Sequence, residues 1–353
     1  MATADSMLVP SPVLDGCNAG ALSAFALLAG MKLDVFTPLG AGALTSDELA
    51  AALGVGAERF RPLLFALTSL GLLRVEGDGQ FANTEEADHY LVRGRPHFIG
   101  DEWLLLDALW HGAMLSAESI RAGRPLAAHD FGTMSADELG RFFRGLHPET
   151  LLAGEKLCAA MDMSRHRHVL DVGGGSGGLS IALCRRFPGL RATIVELPSV
   201  APIAEAYVHE AGLADRIEVR ATDVLADPLA GTFDAALFRA VIQVLSESDA
   251  QKALTHVRAT LSPGGSVYIL GQILDDDMVR PLGAALLNLV FLSFYEHGRS
   301  LPERQYRALL AAAGFVNVER RLTSNGLNMM LAEVPTGLVP DSAMAPARLD
   351  SKG

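Results

Sequence analysis

The stretch 168-HVLDVGGGSGG-178 sets the architecture of the chain. Its first five residues read as a short β-strand. Five glycines within residues 173–178 predict a tight turn into a helix that begins at Gly178. Glycine permits such a turn and lets a ligand approach both the backbone and the helix N-terminus. Outward from this loop, 191-RATIVE-196, 216-RIEVR-220, 233-FDAALF-238 and 266-SVYILGQI-273 are strand-like. They alternate with helix-like segments at 178–187, 199–212 and 246–261. Alternation of this kind predicts an α/β fold, a parallel sheet with helices on both faces. Two further strand-like runs, 315-FVNVERR-321 and 327-LNMMLAEV-334, flank 322-LTSNG-326. The Asn325-Gly326 pair favours a tight turn, so the sheet is expected to end in an antiparallel hairpin.

Gly173, Gly175 and Gly178 satisfy the spacing of a dinucleotide loop, so the glycines alone leave the ligand open. Three carboxylates narrow it. Asp171 lies two residues before the first glycine, Glu196 closes the second strand where it can bind ribose hydroxyls, and Asp223 in 221-ATDVL-225 can meet an adenine amino group. Asp171 taken alone could simply brace the turn. A dinucleotide would bring a pyrophosphate toward a loop that carries a carboxylate and lacks Lys or Arg. S-adenosylmethionine instead brings a sulfonium and an ammonium, which carboxylates attract. Charge therefore selects S-adenosylmethionine as the cofactor, and no metal site is expected.

The first half is helical with one small ribbon. Segment 45-TSDELAAALGV-55 starts with a cap at Thr45 or Ser46 and Glu48 close behind. A second helix, 58-ERFRPLLFALTSLG-71, is expected to stop at Gly71. Two short strands in 72-LLRVEGDGQFANT-84 surround Glu76-Gly77-Asp78-Gly79, a hairpin signal. Helix, helix and hairpin make a winged helix. Residues 1–150 carry 10 Lys and Arg against 19 Asp and Glu, whereas DNA binding needs a basic face. A packing or dimerisation module is expected, with no nucleic-acid partner.

Half of the 353 residues are hydrophobic and 20% are charged, which calls for a substantial core. The formal net charge of -12 argues against a phosphate-binding surface and tolerates cationic ligands. Cys17, Cys158 and Cys184 lack metal-type spacing and fit reduced thiols of a cytoplasmic protein. The apolar segment 21-ALSAFALLAG-30 follows no basic residue, since the first Lys is Lys32. It is too short to span a bilayer, so a core helix and no membrane partner are expected. Four segments follow: a helical dimerisation domain at 1–110, linking helices lining the substrate pocket at 111–163, a cofactor-binding domain at 164–335, and a disordered tail at 336–353.

Together, 168-HVLDVGGGSGG-178, 195-VELPSV-200, 222-TDVL-225 and 263-PGG-265 resemble the plant-type small-molecule O-methyltransferase family, also used by bacteria, over nearly the whole chain. The resemblance implies a class I methyltransferase fold behind an N-terminal winged-helix domain, and homodimers whose N-terminal domains interlock. It also implies that Gly173, Gly175, Glu196, Leu197, Asp223, Val224 and Arg239 contact the cofactor.

One position departs from the family pattern. Members that methylate phenols place a histidine after the fourth strand, and here 237-LFRAVIQVLSESD-249 puts Gln243 there, read as the end of an apolar strand. A phenol has a pKa of about 10, and an amide cannot remove its proton. Either a displaced base such as His147 or His297 serves, or the acceptor needs no deprotonation, or the protein binds cofactor without transfer. A DNA-binding sensor of S-adenosylmethionine is the reading of another class.

The second reading is preferred. Segments 266-SVYILGQILDDD-277 and 287-LNLVFLSFYEHG-298 are similar to bacterial S-methyltransferases acting on 4-methylthio-2-hydroxybutyrate in dimethylsulfoniopropionate synthesis. A thioether sulfur attacks through its lone pair and loses no proton. Gln243 would then orient the small-molecule substrate, joined by Phe143, His147, Asn288, Tyr295, His297 and Arg299. Trp103 is expected as core or pocket wall.

Overall fold

The computed structural model describes residues 11–226 and 229–337. The expected tail lies outside the described residues from 338 onward. The chain divides after Ala108 into two compact units.

The first unit contains α1 (Pro12–Leu33), α2 (Phe36–Leu39), α3 (Ser46–Leu53), α4 (Ala57–Ser69), β1 (Leu73–Glu76), β2 (Gln80–Asn83) and α5 (Glu85–Tyr90). The helix α6 (Gly100–Ala113) follows. Thr45 caps α3 through a full capping box, its hydroxyl accepting from Glu48 N–H while Glu48 accepts from Thr45 N–H at 2.8 Å. Such a cap stabilises a helix by about 1 kcal/mol. β1 and β2 pair antiparallel from Leu73–Asn83 to Glu76–Gln80, as the glycines between them predict. Met31, Phe36, Leu49, Phe60, Leu64, Leu67, Leu73 and Phe81 fill the core, with Trp103 packed on it.

α1 corrects an expectation. It is a 22-residue helix, long and apolar enough by composition to cross a membrane, and only 11% of its most apolar window is buried. Its N-terminal part is therefore outside the core, while Leu28, Gly30 and Met31 near its other end are buried. Val13, Leu14 and Leu22 stand exposed along it.

The second unit begins with α7 (Ser116–Ala122) and the long α8 (Ala136–Ala160). There follow β3 (His168–Val172), α9 (Gly178–Arg186), β4 (Arg191–Glu196), α10 (Ala201–Glu210), β5 (Ile217–Ala221) and β6 (Phe233–Arg239). The unit ends with α11 (Glu247–Thr260), β7 (Leu261–Leu270), α12 (Leu282–Phe294), α13 (Glu303–Ala312), β8 (Val316–Leu322) and β9 (Asn328–Glu333). The seven strands run in the order β5-β4-β3-β6-β7-β9-β8. β3 pairs parallel with both β4 and β6, while β9 is antiparallel to both β7 and β8. The class I methyltransferase arrangement with a terminal antiparallel hairpin is thus present.

Alternate side chains feed two cores. Leu170, Val172, Ala236, Phe238, Val267 and Ile269 enter one, and Val169, Ala235, Leu237, Tyr268 and Leu270 enter the other. That is the period of two that a strand imposes. The chain leaves β3 toward β4 and β5, then returns to β6 on its other side, so strand order reverses between β3 and β6. A crevice at the carboxyl ends of such strands is where ligands bind in open α/β sheets.

Two strand readings shift. β6 stops at Arg239, because Ala240 takes a left-handed φ of 58° and residues Ile242–Val244 form a 3-10 turn. Gln243 therefore lies beyond the strand, in that turn. β7 begins at Leu261, earlier than expected. Its register with β6 breaks between Leu261 and Ser266, across Pro263-Gly264-Gly265.

Candidate active site

The crevice between β3 and β6 opens into a cavity of about 490 Å³, within the size range of small-molecule sites. The glycine loop forms one wall. Gly173 has a φ of +62°, and a Cβ there would lie 2.6 Å from Val241. Gly175 has a φ of +58°, and its Cβ would lie 2.9 Å from the Phe143 ring. A side chain at either point would collide with a residue that lines the cavity, so the main chain stays bare there.

Every carboxylate singled out from sequence reaches this wall. Asp171 is only 1% exposed, accepts a hydrogen bond from the Ser180 hydroxyl at 2.7 Å, and lines the cavity. Burial pushes its pKa up to about 6, opposed by that hydrogen bond. Glu196 accepts from Gly175 N–H at 2.8 Å and from Leu197 N–H at 2.7 Å. Burial raises its pKa, while the two backbone donors act against this. Asp223 accepts from Leu225 N–H at 2.8 Å and lines the cavity beside Leu197 and Val224. Arg239, at the end of β6, pairs with Glu149 at 2.8 Å and donates to the Thr150 hydroxyl at 3.3 Å. A glycine cradle ringed by three carboxylates suits a cationic nucleoside and opposes a pyrophosphate. The residues fit S-adenosylmethionine.

A second wall is aromatic. Phe142 and Phe143 on α8 meet edge to face with centroids 5.4 Å apart. Phe131 packs on Phe142 at 5.2 Å. His129 meets Phe142 at 5.3 Å and an 88° interplanar angle, and stands 6.4 Å from Tyr295. All five side chains line the same cavity as the glycine loop. Burial pushes the Tyr295 hydroxyl up to about 12, so it stays protonated at neutral pH.

Of the expected substrate residues, Phe143 and Tyr295 line this cavity, whereas His147, Gln243, Asn288 and His297 do not. His147 is held elsewhere: its Nδ1 lies 2.9 Å from the Ser176 hydroxyl of the glycine loop, and its ring stacks on Tyr207 at 3.9 Å. Burial, with help from Arg185, pushes its pKa down to about 4. It braces the loop. Gln243 is 5% exposed, with its Oε1 against Gly271, and its carbonyl accepts from Arg299 N–H at 2.8 Å. Asn288 Oδ1 accepts from Ser300 N–H at 2.7 Å, tying α12 to the following segment. The carbonyl of His297 accepts from Arg299 at 3.5 Å. Arg299 lines a separate, smaller cavity with Gln251 and Gln305. His129, Phe131 and Phe142 escaped the sequence reading as site residues. The segment 127-AAHDFG-132 offers only a lone histidine in a turn, with no motif around it.

Comparison with known proteins agrees with this geometry. A family model described as an O-methyltransferase domain matches residues 119–316, and one described as an O-methyltransferase dimerisation domain matches residues 18–93. The chain is 34% identical over 315 residues to 3-hydroxy-5-methyl-1-naphthoate 3-O-methyltransferase of Streptomyces sahachiroi, covering 87% of this chain and 90% of that protein. It is 31% identical to acetylserotonin O-methyltransferase of Bos taurus, covering 87% and 92%. Among solved structures, human N-acetylserotonin methyltransferase in complex with S-adenosylmethionine superposes with a TM-score of 0.83 at 25% identity. That match covers 95% of this chain and 100% of the human one.

Proposed function

The chain belongs to the O-methyltransferase family in which this catalytic domain follows a dimerisation domain, and from that premise we propose that it methylates a hydroxyl carried on a small aromatic ring. It is an S-adenosylmethionine-dependent methyltransferase of small molecules. When bound, the cofactor supplies an electrophilic methyl group. The chain's own residues bind, orient and exclude water. Glu196 is placed to accept from ribose hydroxyls with the lone pairs its two backbone donors leave free. Asp223 would meet the adenine amino group beside Leu197 and Val224, and Asp171 would counter the cationic end of the methyl donor. Arg239, neutralised by Glu149, braces the strand end.

The observation that carries the reading is the aromatic wall of Phe131, Phe142, Phe143, His129 and Tyr295 opening onto the glycine loop. These rings pack edge to face on one another and together present an apolar surface suited to a flat ring in the cavity that the glycine loop also lines. Alignment of the two reactants is itself a large part of catalysis in such transfers. The naphthoate acceptor named for the Streptomyces relative is a ring of this kind.

The case for a thioether acid weakens on two counts. It rested on a missing base at position 243, and Gln243 stands outside this cavity. It also needed a partner for the substrate carboxylate. Arg239 is the one cationic side chain among the residues lining the cavity, and it is already paired. An acceptor screen with methyl-labelled S-adenosylmethionine tests the proposal, using naphthols, hydroxynaphthoates and simple phenols beside 4-methylthio-2-hydroxybutyrate. Label is expected on the aromatic hydroxyls. Transfer to the thioether with none to any phenol overturns the reading.

A further inference from the structure

Deepening that reading and resting on it, we propose that His129 is the general base that takes the proton from the acceptor hydroxyl. The position occupied by Gln243 carries no base, yet a phenol with a pKa of about 10 must lose its proton on the way to the ether. Several histidines in the second unit are already engaged. His147 contacts Ser176, His166 contacts Tyr268, His168 contacts Thr193, and His256 meets the Val224 carbonyl. His129 differs on both counts that matter. It lines the cavity, and its buried Nδ1 has no hydrogen-bond partner among the described residues. That nitrogen is closed to the cavity, so the base is Nε2, whose lone pair is free in the tautomer that carries its proton on Nδ1.

Its surroundings keep the ring neutral and ready. Phe131, Phe142 and Phe294 pack around it, and burial lowers its pKa below the ordinary histidine value. Two titratable groups lie near it, Tyr295 in space and Asp130 in sequence. Tyr295 at the end of α12 is uncharged at neutral pH. Asp130, next in the chain, has its Oδ1 occupied by Gly132 N–H at 2.9 Å. α8 presents Phe142, which does not titrate. In the transfer, the acceptor O–H bond breaks and its proton moves to the imidazole. A bond forms from that oxygen to the methyl carbon as the methyl–sulfur bond breaks, with the electron pair staying on sulfur. The positive charge that began on the sulfonium ends on the imidazolium, and solvent then removes the proton.

The test compares wild type with H129Q and H129F on a phenolic acceptor found in the screen. For H129Q, kcat is expected to fall roughly a hundred- to ten-thousand-fold, with little change in KM for the cofactor. The acid limb of the pH profile, present in wild type, should vanish. Acceptors acidified by ring nitro or fluoro groups should lose far less, because they ionise unaided. Calorimetric binding of S-adenosylmethionine to each variant reports that the fold is intact. A readout free of turnover is the imidazole NMR titration of the cofactor-free protein. The resonance absent from H129Q is expected to titrate below the usual histidine range and to shift when the phenol binds. Phenol turnover in H129Q within about threefold of wild type, with the acid limb kept, overturns the base while leaving O-methylation standing. Transfer confined to thioethers overturns both.

Discussion

Asp171 and Glu196 show how single side chains tune cofactor capture. The raised pKa of Asp171, about 6, means that the folded, cofactor-free protein holds that proton more tightly than the unfolded chain does. Its contribution to stability is therefore present at the acid end and is lost as pH rises through about 6. A cationic ligand favours the ionised form, so affinity should move the opposite way. S-adenosylmethionine is expected to bind wild type more tightly as pH rises from 5 to 7, with protons released on binding at pH 5.5. Calorimetry in buffers of different ionisation enthalpy detects that release, and D171N should show neither effect. Glu196→Ala removes the acceptor of two backbone donors and the proposed ribose ligand. Cofactor affinity should fall roughly ten- to a hundredfold, and unchanged affinity by the same titration removes Glu196 from the site. These carboxylates were readable from sequence because each sits at a fixed offset from a strand end. His129 was not. Its place depends on a turn folding against α8 and α12, which no local pattern encodes. Gln243 misled for the reverse reason: a left-handed Ala240 ends the strand three residues before it.

Among the elements, the glycine loop and α8 act as a pair. Gly178 lies so close to α8 that an added Cβ would stand 2.7 Å from the Leu151 nitrogen. Close packing of this kind fixes where α8 presents Phe142 and Phe143. Gly175→Ala places a methyl group against Phe143 at a φ of +58°, a conformation that costs a non-glycine residue about 1–3 kcal/mol. The expected result is a protein that still folds, as far-ultraviolet circular dichroism can show, with S-adenosylmethionine binding reduced at least tenfold. Strand positions were legible because an apolar run bounded by glycine or polar turns has few alternatives. The early start of β7 was not, since its Pro-Gly-Gly reads locally as a loop and pairs only because β6 runs alongside.

At the scale of the molecule, the exposed apolar residues of α1 have a simple explanation. The match to a dimerisation domain begins at residue 18, within that helix, which makes a second copy of the chain the expected cover for its apolar residues. Leu22→Glu should shift the mass measured by light scattering toward the monomer and lower the thermal midpoint. A dimer undisturbed by that change places the interface elsewhere. The apolar character of α1 was plain from sequence, and only the resemblance of the whole chain to a family, not the helix itself, pointed to a second copy as its cover. An apolar face looks the same whether its partner is the chain's own core, a bilayer or a twin.

The antiparallel strand β9 has a bearing on how the protein is made. It is the last strand of the sheet to be synthesised, yet it sits inside the sheet, with β7 on one side and β8 on the other. Until residues 328–333 leave the ribosome, β7 presents an unpaired edge and β8 has nothing to pair with. Buried Met329 and Met330 arrive at the same moment. The nascent catalytic unit therefore carries an open, aggregation-prone edge on β7 until β9 emerges, and that one late strand joins both β7 and β8 to the sheet.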